Sequence, residues 1–124
     1  MKYLLDSNIL IGIAIAANVR LRANVAACDA GDLATSAISF AEVAYGSMQG
    51  KPPLSGDLRA LIEEVEVLPF DEMAALVYAG LPFKRASYNR LIAAHALSLG
   101  LTVVTDNERD FADVPGLRVE NWTI

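Results

Sequence analysis

Oxygen-bearing side chains suited to divalent-metal chemistry recur at separated points of this sequence. Asp6 follows the apolar opening run Lys2–Leu5, Glu42 lies about one turn into the segment after Leu33–Thr35, and Asn89 precedes an apolar stretch that ends in Asp106 and Asn107. In open parallel sheets, ligands bind beyond the carboxyl ends of the strands. Asp6, Glu42, Asp106 and Asn107 all follow expected strands, and Asn89 opens the helix before one of them, so all five can converge on one sheet edge. Carboxylates gathered there repel one another and raise each other's pKa values. A hard divalent cation such as Mg²⁺ relieves that conflict, because it prefers oxygen ligands and keeps some of its own water. Water activated by such a cation can attack phosphorus while the metal stabilises charge on the phosphoryl oxygens. The chemistry implied is hydrolysis of a phosphate ester.

Each residue also has an ordinary structural use. Asp6 is a good helix cap. Ser39-Phe40-Ala41-Glu42 matches a capping box, in which Glu reaches back to the cap residue's N–H. Asn89 is a common type near helix starts, and Asp106 and Asn107 form turns readily. His95 lies among Ala and Leu with no second His at ligand spacing, which points to packing. Cys28 is the sole cysteine. It excludes an intramolecular disulfide, argues against a cysteine zinc site, and reads as filler.

The elements that must position these groups follow from periodicity and punctuation. Strands are expected at Lys2–Leu5, Leu33–Thr35, Val65–Leu68 and Leu101–Thr105, with an edge strand at Leu117–Val119. Helices are expected over Ile9–Ala17 and Leu21–Ala30 (two, or one bent helix), from Ser36–Ser39 to about Gln49, over 57–64, from Asp71 to about Ala79, and from Ser87 to Gly100. Asp106–Asp113 reads as a polar loop or short helix. The alternation of strand and helix implies a parallel sheet covered on both faces.

The 124 residues suit one domain, 1–124. At 54% hydrophobic and 20% charged residues, disorder is excluded. The longest apolar run, Ile9–Ala17, is about half the length a bilayer needs. With no signal-peptide pattern at the start, a cytoplasmic, membrane-free setting is expected. The net charge of −5 runs against nucleic-acid binding. A carboxylate cluster awaiting metal accounts for part of it, and Lys84, Arg85 and Arg90 lie close together in sequence.

Taken together, the blocks resemble a known family. Tyr3-Leu4-Leu5-Asp6-Ser7-Asn8-Ile9-Leu10 is similar to the opening of PIN-domain proteins, especially the VapC toxins of toxin–antitoxin pairs. Ile38-Ser39, Ala41-Glu42-Val43 and Tyr45-Gly46 look like the family's second block. Leu91-Ile92-Ala93-Ala94-His95-Ala96 and Val103-Val104-Thr105-Asp106-Asn107 look like the third and fourth, and Pro115-Gly116-Leu117 with Glu120-Asn121-Trp122 like the tail. The resemblance covers nearly the whole chain. It implies a three-layer α/β/α sandwich around a mostly parallel sheet of four to five strands. It also implies a Mg²⁺-dependent endoribonuclease (Mn²⁺ being the alternative) that leaves 5′-phosphate and 3′-hydroxyl ends on structured RNA such as tRNA.

The same resemblance assigns roles. Asp6 is the first metal ligand, and Glu42 the second acid, orienting metal or water. The third acid of the family falls on Asn89, and the fourth position on Asn107, where the family uses Asp or Asn. Thr105 hydrogen-bonds within the site, and Asp106 and Asp110 supply nearby charge. By their charge alone, Lys84, Arg85, Arg90 and Arg109 are candidates for RNA-backbone contacts, with solvated surface charge as the ordinary reading of each. A VapB-like antitoxin and a homodimer are the implied partners. Asn89 is the departure: its amide oxygen can touch a metal but brings no charge. Either the protein is naturally impaired, or the position records an Asp-to-Asn change that makes a toxic nuclease producible. Two alternatives stand beside this reading. One is a non-catalytic PIN-fold module that only holds RNA or an antitoxin. The other is a haloacid-dehalogenase-like phosphatase with Asp6 as nucleophile, although Asn8 stands where that family needs a second Asp.

Overall fold

The structure, a computed structural model, describes residues 1–82 and 85–124. Its centre is a five-stranded parallel sheet in the order β3-β2-β1-β4-β5. The strands are β1 (Tyr3–Leu5), β2 (Leu33–Ser36), β3 (Glu66–Leu68), β4 (Thr102–Val104) and β5 (Val119–Glu120). The helices are α1 (Ser7–Ile15), α2 (Val19–Ala26), α3 (Ala37–Met48), α4 (Ser55–Glu64), α5 (Glu72–Gly80) and α6 (Tyr88–Leu99). Register is tight at the centre: Leu4 pairs with Ala34 on one side and with Val103 on the other. The sheet turns outward in both directions from β1 and β4, so the crevice where ligands gather lies at the carboxyl ends of those two strands.

Successive strand residues point to opposite faces, and the sequence supplies apolar residues for both. Leu4, Ala34 and Val103 pack with Ile92, Ala93, Ala96 and Phe111 on one side. Leu5, Leu33 and Val104 pack with Ile9, Leu10, Leu21 and Val43 on the other. Each Leu or Ile fully withdrawn from water stabilises the fold by about 1.5–3 kcal/mol. Both faces being covered explains the continuous rather than alternating hydrophobicity of β1 and β4. The expected α/β/α architecture is the one observed.

The first helical stretch takes one of its two expected forms, two helices bent by 96°. Ala16 takes a left-handed conformation (φ 53°) that ends α1, and the Asn18 side chain caps α2 by accepting from Leu21 N–H. Gly12 permits the close crossing, since a Cβ there would lie 2.8 Å from the Leu21 side chain. The differences from expectation are local. α2 ends at Ala26 rather than Ala30, and the turn before β2 is held by the Asp32 carboxylate, which accepts from Asp29 N–H. The edge strand is shifted to Val119–Glu120, where Val119 pairs with Val103. Among the described residues no single helix is long and apolar enough to cross a membrane.

Candidate active site

Asp6 ends β1 and caps α1, and these two duties fix it. Its backbone N–H donates to Val104 O at 2.9 Å, which ties it to the end of β4. One carboxylate oxygen accepts from Ser7 N–H at 2.8 Å, and the other accepts from the Thr105 hydroxyl at 2.9 Å. Asp6 is 3% exposed and Thr105 is fully buried. Burial pushes the Asp6 carboxyl above the ordinary aspartate range, and the charges of Asp106 and Asp110 add to that. The two donated hydrogen bonds oppose it. Capping the helix therefore does not take Asp6 away from the sheet edge.

Glu42 reaches the same edge from α3. The helix starts at Ala37 with Ser36 as its cap, whose hydroxyl accepts from Ile38 N–H. Ser39 therefore lies inside the helix, and the capping box expected of Ser39 and Glu42 does not form. Ser39 Oγ is buried without a hydrogen-bond partner. Glu42 is half-buried, and its carboxyl is raised first by that burial and then by the charge of Asp6. The two carboxylates thus sense each other across the crevice.

The third contribution comes from the start of α6 and the loop after β4. Asn89 Nδ2 donates to Asp110 Oδ2 at 3.0 Å, and Asn107 Nδ2 donates to the same oxygen at 2.6 Å. The Asn107 backbone N–H donates to Thr105 Oγ1 at 3.0 Å. A continuous chain of hydrogen bonds therefore runs from Asn89 through Asp110, Asn107 and Thr105 to Asp6. Residues separated by about a hundred positions share one network because β1 and β4 are neighbours.

The PIN domain family model matches residues 3–117. The chain belongs to the PIN-domain family. It is 32% identical to the tRNA(fMet)-specific endonuclease VapC of Shigella flexneri, with 99% of each chain covered. It is 28% identical to ribonuclease VapC2 of Haemophilus influenzae (Rd), with 98% of each covered. Among solved structures it superposes on VapBC2 from Rickettsia felis bound to a DNA fragment from their promoter, with TM-score 0.86, 26% identity and coverage of 98% and 99%. The DNA-bound VapBC from Salmonella typhimurium gives TM-score 0.83, 29% identity and 98% coverage of both chains. Membership of this family displaces the haloacid-dehalogenase comparison.

In this PIN domain the oxygen donors suit a hard cation. Asp6, Glu42 and Asp110 offer carboxylates, and Asn89 and Asn107 offer amide oxygens. Burial first, and neighbouring carboxylates second, raise the Asp6 and Glu42 carboxyls, and a cation would favour their ionised forms. Even so, among the described residues no three Asp, Glu, His or Cys side chains form a ready metal-binding group. Two orphaned buried oxygens, Asn8 Oδ1 and Ser39 Oγ, sit on the helices that carry Asp6 and Glu42.

The basic residues divide. Arg85 and Arg109 are exposed and line a 510 Å³ cleft with Asn89 and Asp110. Arg90, expected beside them, is 7% exposed. Its guanidinium donates to Pro82 O at 2.6 Å and lies 3.6 Å from the Asp113 carboxylate, so it braces the fold. Lys84 lies outside the described residues. Asp106 is exposed at the rim. His95 is a packing residue: it is 1% exposed, its Nδ1 is 2.9 Å from Ser36 Oγ, and its ring meets Phe70 edge-on. Burial lowers its pKa, against a smaller upward pull from Asp71. Two features escaped the sequence reading. One is the clamp of Asn89 and Asn107 on Asp110, for which the short Asn107–Asp110 spacing was the available signal. The other is a pair of tyrosines beside Glu42.

Proposed function

We propose that this chain is the toxin of a VapBC-type pair: a metal-dependent endoribonuclease acting on structured RNA, tRNA included, with its activity held low by Asn89. The observation that carries the reading is the hydrogen-bonded path from Asn89 to Asp6, with Glu42 within reach of Asp6's charge. Full-length similarity to proteins named as a tRNA(fMet)-specific endonuclease and a ribonuclease supports the substrate class. Mg²⁺ is the metal proposed, with Mn²⁺ as its substitute. When bound, the cation supplies charge stabilisation for the phosphoryl oxygens and a more acidic water.

The chain's own residues do the rest. Asp6 and Asn89 would hold the cation, and Asp6 is kept in one orientation by Ser7 N–H and Thr105. Glu42, its basicity raised by burial and by Asp6, accepts a proton from the attacking water. Asn107 holds Asp110 at the rim. Arg85 and Arg109 contact the RNA backbone, and Arg90 is left to the fold. The solved relatives are toxin–antitoxin complexes, so a VapB-like antitoxin is the proposed partner. Its basic side chain would answer the acidic crevice. A homodimer working in the cytoplasm completes the proposal.

The deciding test is Asn89→Asp. Restoring the third carboxylate is expected to raise Mg²⁺-dependent cleavage of tRNA by about 10²-fold or more, the scale of one well-placed catalytic group, and EDTA should abolish it. Equal activity in the two forms would remove Asn89 from the site. RNA binding without cleavage by the Asn89→Asp form would favour the second reading, a non-catalytic RNA- or antitoxin-holding module, which the amide at this position makes worth testing.

A further inference from the structure

We infer that Tyr45 and Tyr88 form a stacking subsite for an unpaired nucleobase of the RNA, beside the bond to be cut. The inference rests on the ribonuclease reading above and adds where the substrate's base is held. A cleft of 720 Å³ is lined by Ala37, Ile38, Ala41, Glu42, Tyr45 and Tyr88. Small-ligand pockets commonly span about 300–1,000 Å³, so a base with its ribose fits. The floor is small and apolar, Glu42 is the one charged group lining it among the described residues, and the two aromatics stand 69% and 61% exposed.

Chain geometry ties this cleft to the acid centre. Tyr45 follows Glu42 by three positions on α3, which sets the two side by side on one helix face. Tyr88 opens α6 immediately before Asn89. Aromatic groups from two separate helices therefore flank the acidic edge on one side. Asn89 itself lines a second cleft, with Arg85, Arg109 and Asp110. The division of chemistry follows what a single-stranded nucleotide offers. Its flat apolar base suits tyrosine rings over an alanine and isoleucine floor, and its anionic backbone suits the arginine side. Unpaired bases splayed onto aromatic side chains are the usual means of holding RNA outside a duplex. Glu42 belongs to both the cleft and the acid centre, so a base seated against the tyrosines brings its own phosphodiester to the carboxylates. Stacking of this kind tolerates any base, so the subsite selects for unpaired character rather than sequence.

The test uses the full chain with a short single-stranded RNA carrying 2-aminopurine at one position, scanned along the strand. Binding is followed by anisotropy in EDTA, and stacking by quenching of the 2-aminopurine emission. Tyr45→Ala and Tyr88→Ala are each expected to weaken binding about tenfold, within the range base–aromatic stacking supplies, and to relieve the quenching at one position. Tyr45→Phe and Tyr88→Phe should keep both. In the Asn89→Asp background, the alanine variants should raise KM more than they lower kcat. Both side chains are exposed, so melting temperatures should stay within a degree or two of the parent and exclude misfolding. Unchanged affinity and quenching in both alanine variants, with Asn89→Asp still cleaving RNA, would overturn the subsite and leave the ribonuclease reading intact. A shift in sedimentation, or in affinity for a VapB-like antitoxin, with RNA binding unaltered would assign the cleft to a protein and likewise overturn it. If Asn89→Asp neither binds nor cleaves RNA, both readings fall together.

Discussion

The acidic edge has two halves built in opposite ways. Asp6 and Thr105 are buried, their side chains are hydrogen-bonded, and their positions are dictated by the backbone of β1 and β4. Around Asn89, Asn107 and Asp110 the groups are half-buried or exposed, come from a helix start and a loop, and hold one another through side chains alone. The first half keeps a carboxylate where burial disfavours its charge. The second half arranges two amides around one carboxylate, so that it is satisfied without metal. The difference teaches that the strand ends set where the chemistry occurs, and the loop side sets how much charge is available for it.

The largest expected effect comes from breaking the buried half. Thr105→Val keeps the shape but removes the hydroxyl that donates to Asp6 and accepts from Asn107. The Asp6 carboxyl, already raised by burial, would rise further. A metal needs the ionised form, so Mg²⁺ or Mn²⁺ affinity measured by calorimetry should fall by about 10–100-fold, the usual cost of losing an orienting partner. The sign with pH follows: the deficit should widen as pH falls toward the carboxyl's own titration and narrow as pH rises. Equal affinity and equal pH dependence in the two proteins would show that the buried half does not hold the ion.

A smaller effect should appear on the loop side, with a change of sign. In Asn89→Asp a carboxylate would face Asp110 in place of an N–H donor. Without metal the variant should lose on the order of 1 kcal/mol, roughly 2–5 °C in melting temperature. With Mg²⁺ it should gain more than the parent, because ligand binding stabilises in proportion to affinity. Melting curves in EDTA and in excess Mg²⁺ that keep the same order of stability would contradict the contrast drawn between the halves.

Which parts were legible in the sequence follows the same line. Asp6 and Thr105 were readable because they end apolar strands, and a parallel sheet carries such ends to one edge. The five strands and the α6 cap at Ser87 and Gly100 were readable for similar reasons, each resting on local pattern or punctuation. The start of α3 was harder. Ser36 and Ser39 are both good caps, and only pairing of Leu33–Ser36 with β1 and β3 decides that the chain turns helical at Ala37. The end of α2 was missed because Ala27 and Cys28 carry no stop signal, and it is the Asp32 side chain that closes the turn. Arg90 reads as one more basic residue beside Arg85, since nothing in the sequence says that Pro82 O and Asp113 will surround it.

That last distinction supplies the finest test. Arg85→Ala and Arg109→Ala remove exposed charges facing the crevice. Each should weaken RNA binding modestly and flatten the dependence of log affinity on log salt by about 0.7–0.9, one phosphate contact's worth of released counterions. Arg90→Ala should leave that slope unchanged. It should instead lower stability by about 1–3 kcal/mol, because the buried guanidinium's hydrogen bond to Pro82 O and its ion pair with Asp113 are lost. The three variants differ by the same chemical change, so only their surroundings separate them. If Arg90→Ala flattened the slope as the others do, its guanidinium would have to reach RNA. The line between the residues that build the crevice and those that meet the substrate would then fall elsewhere.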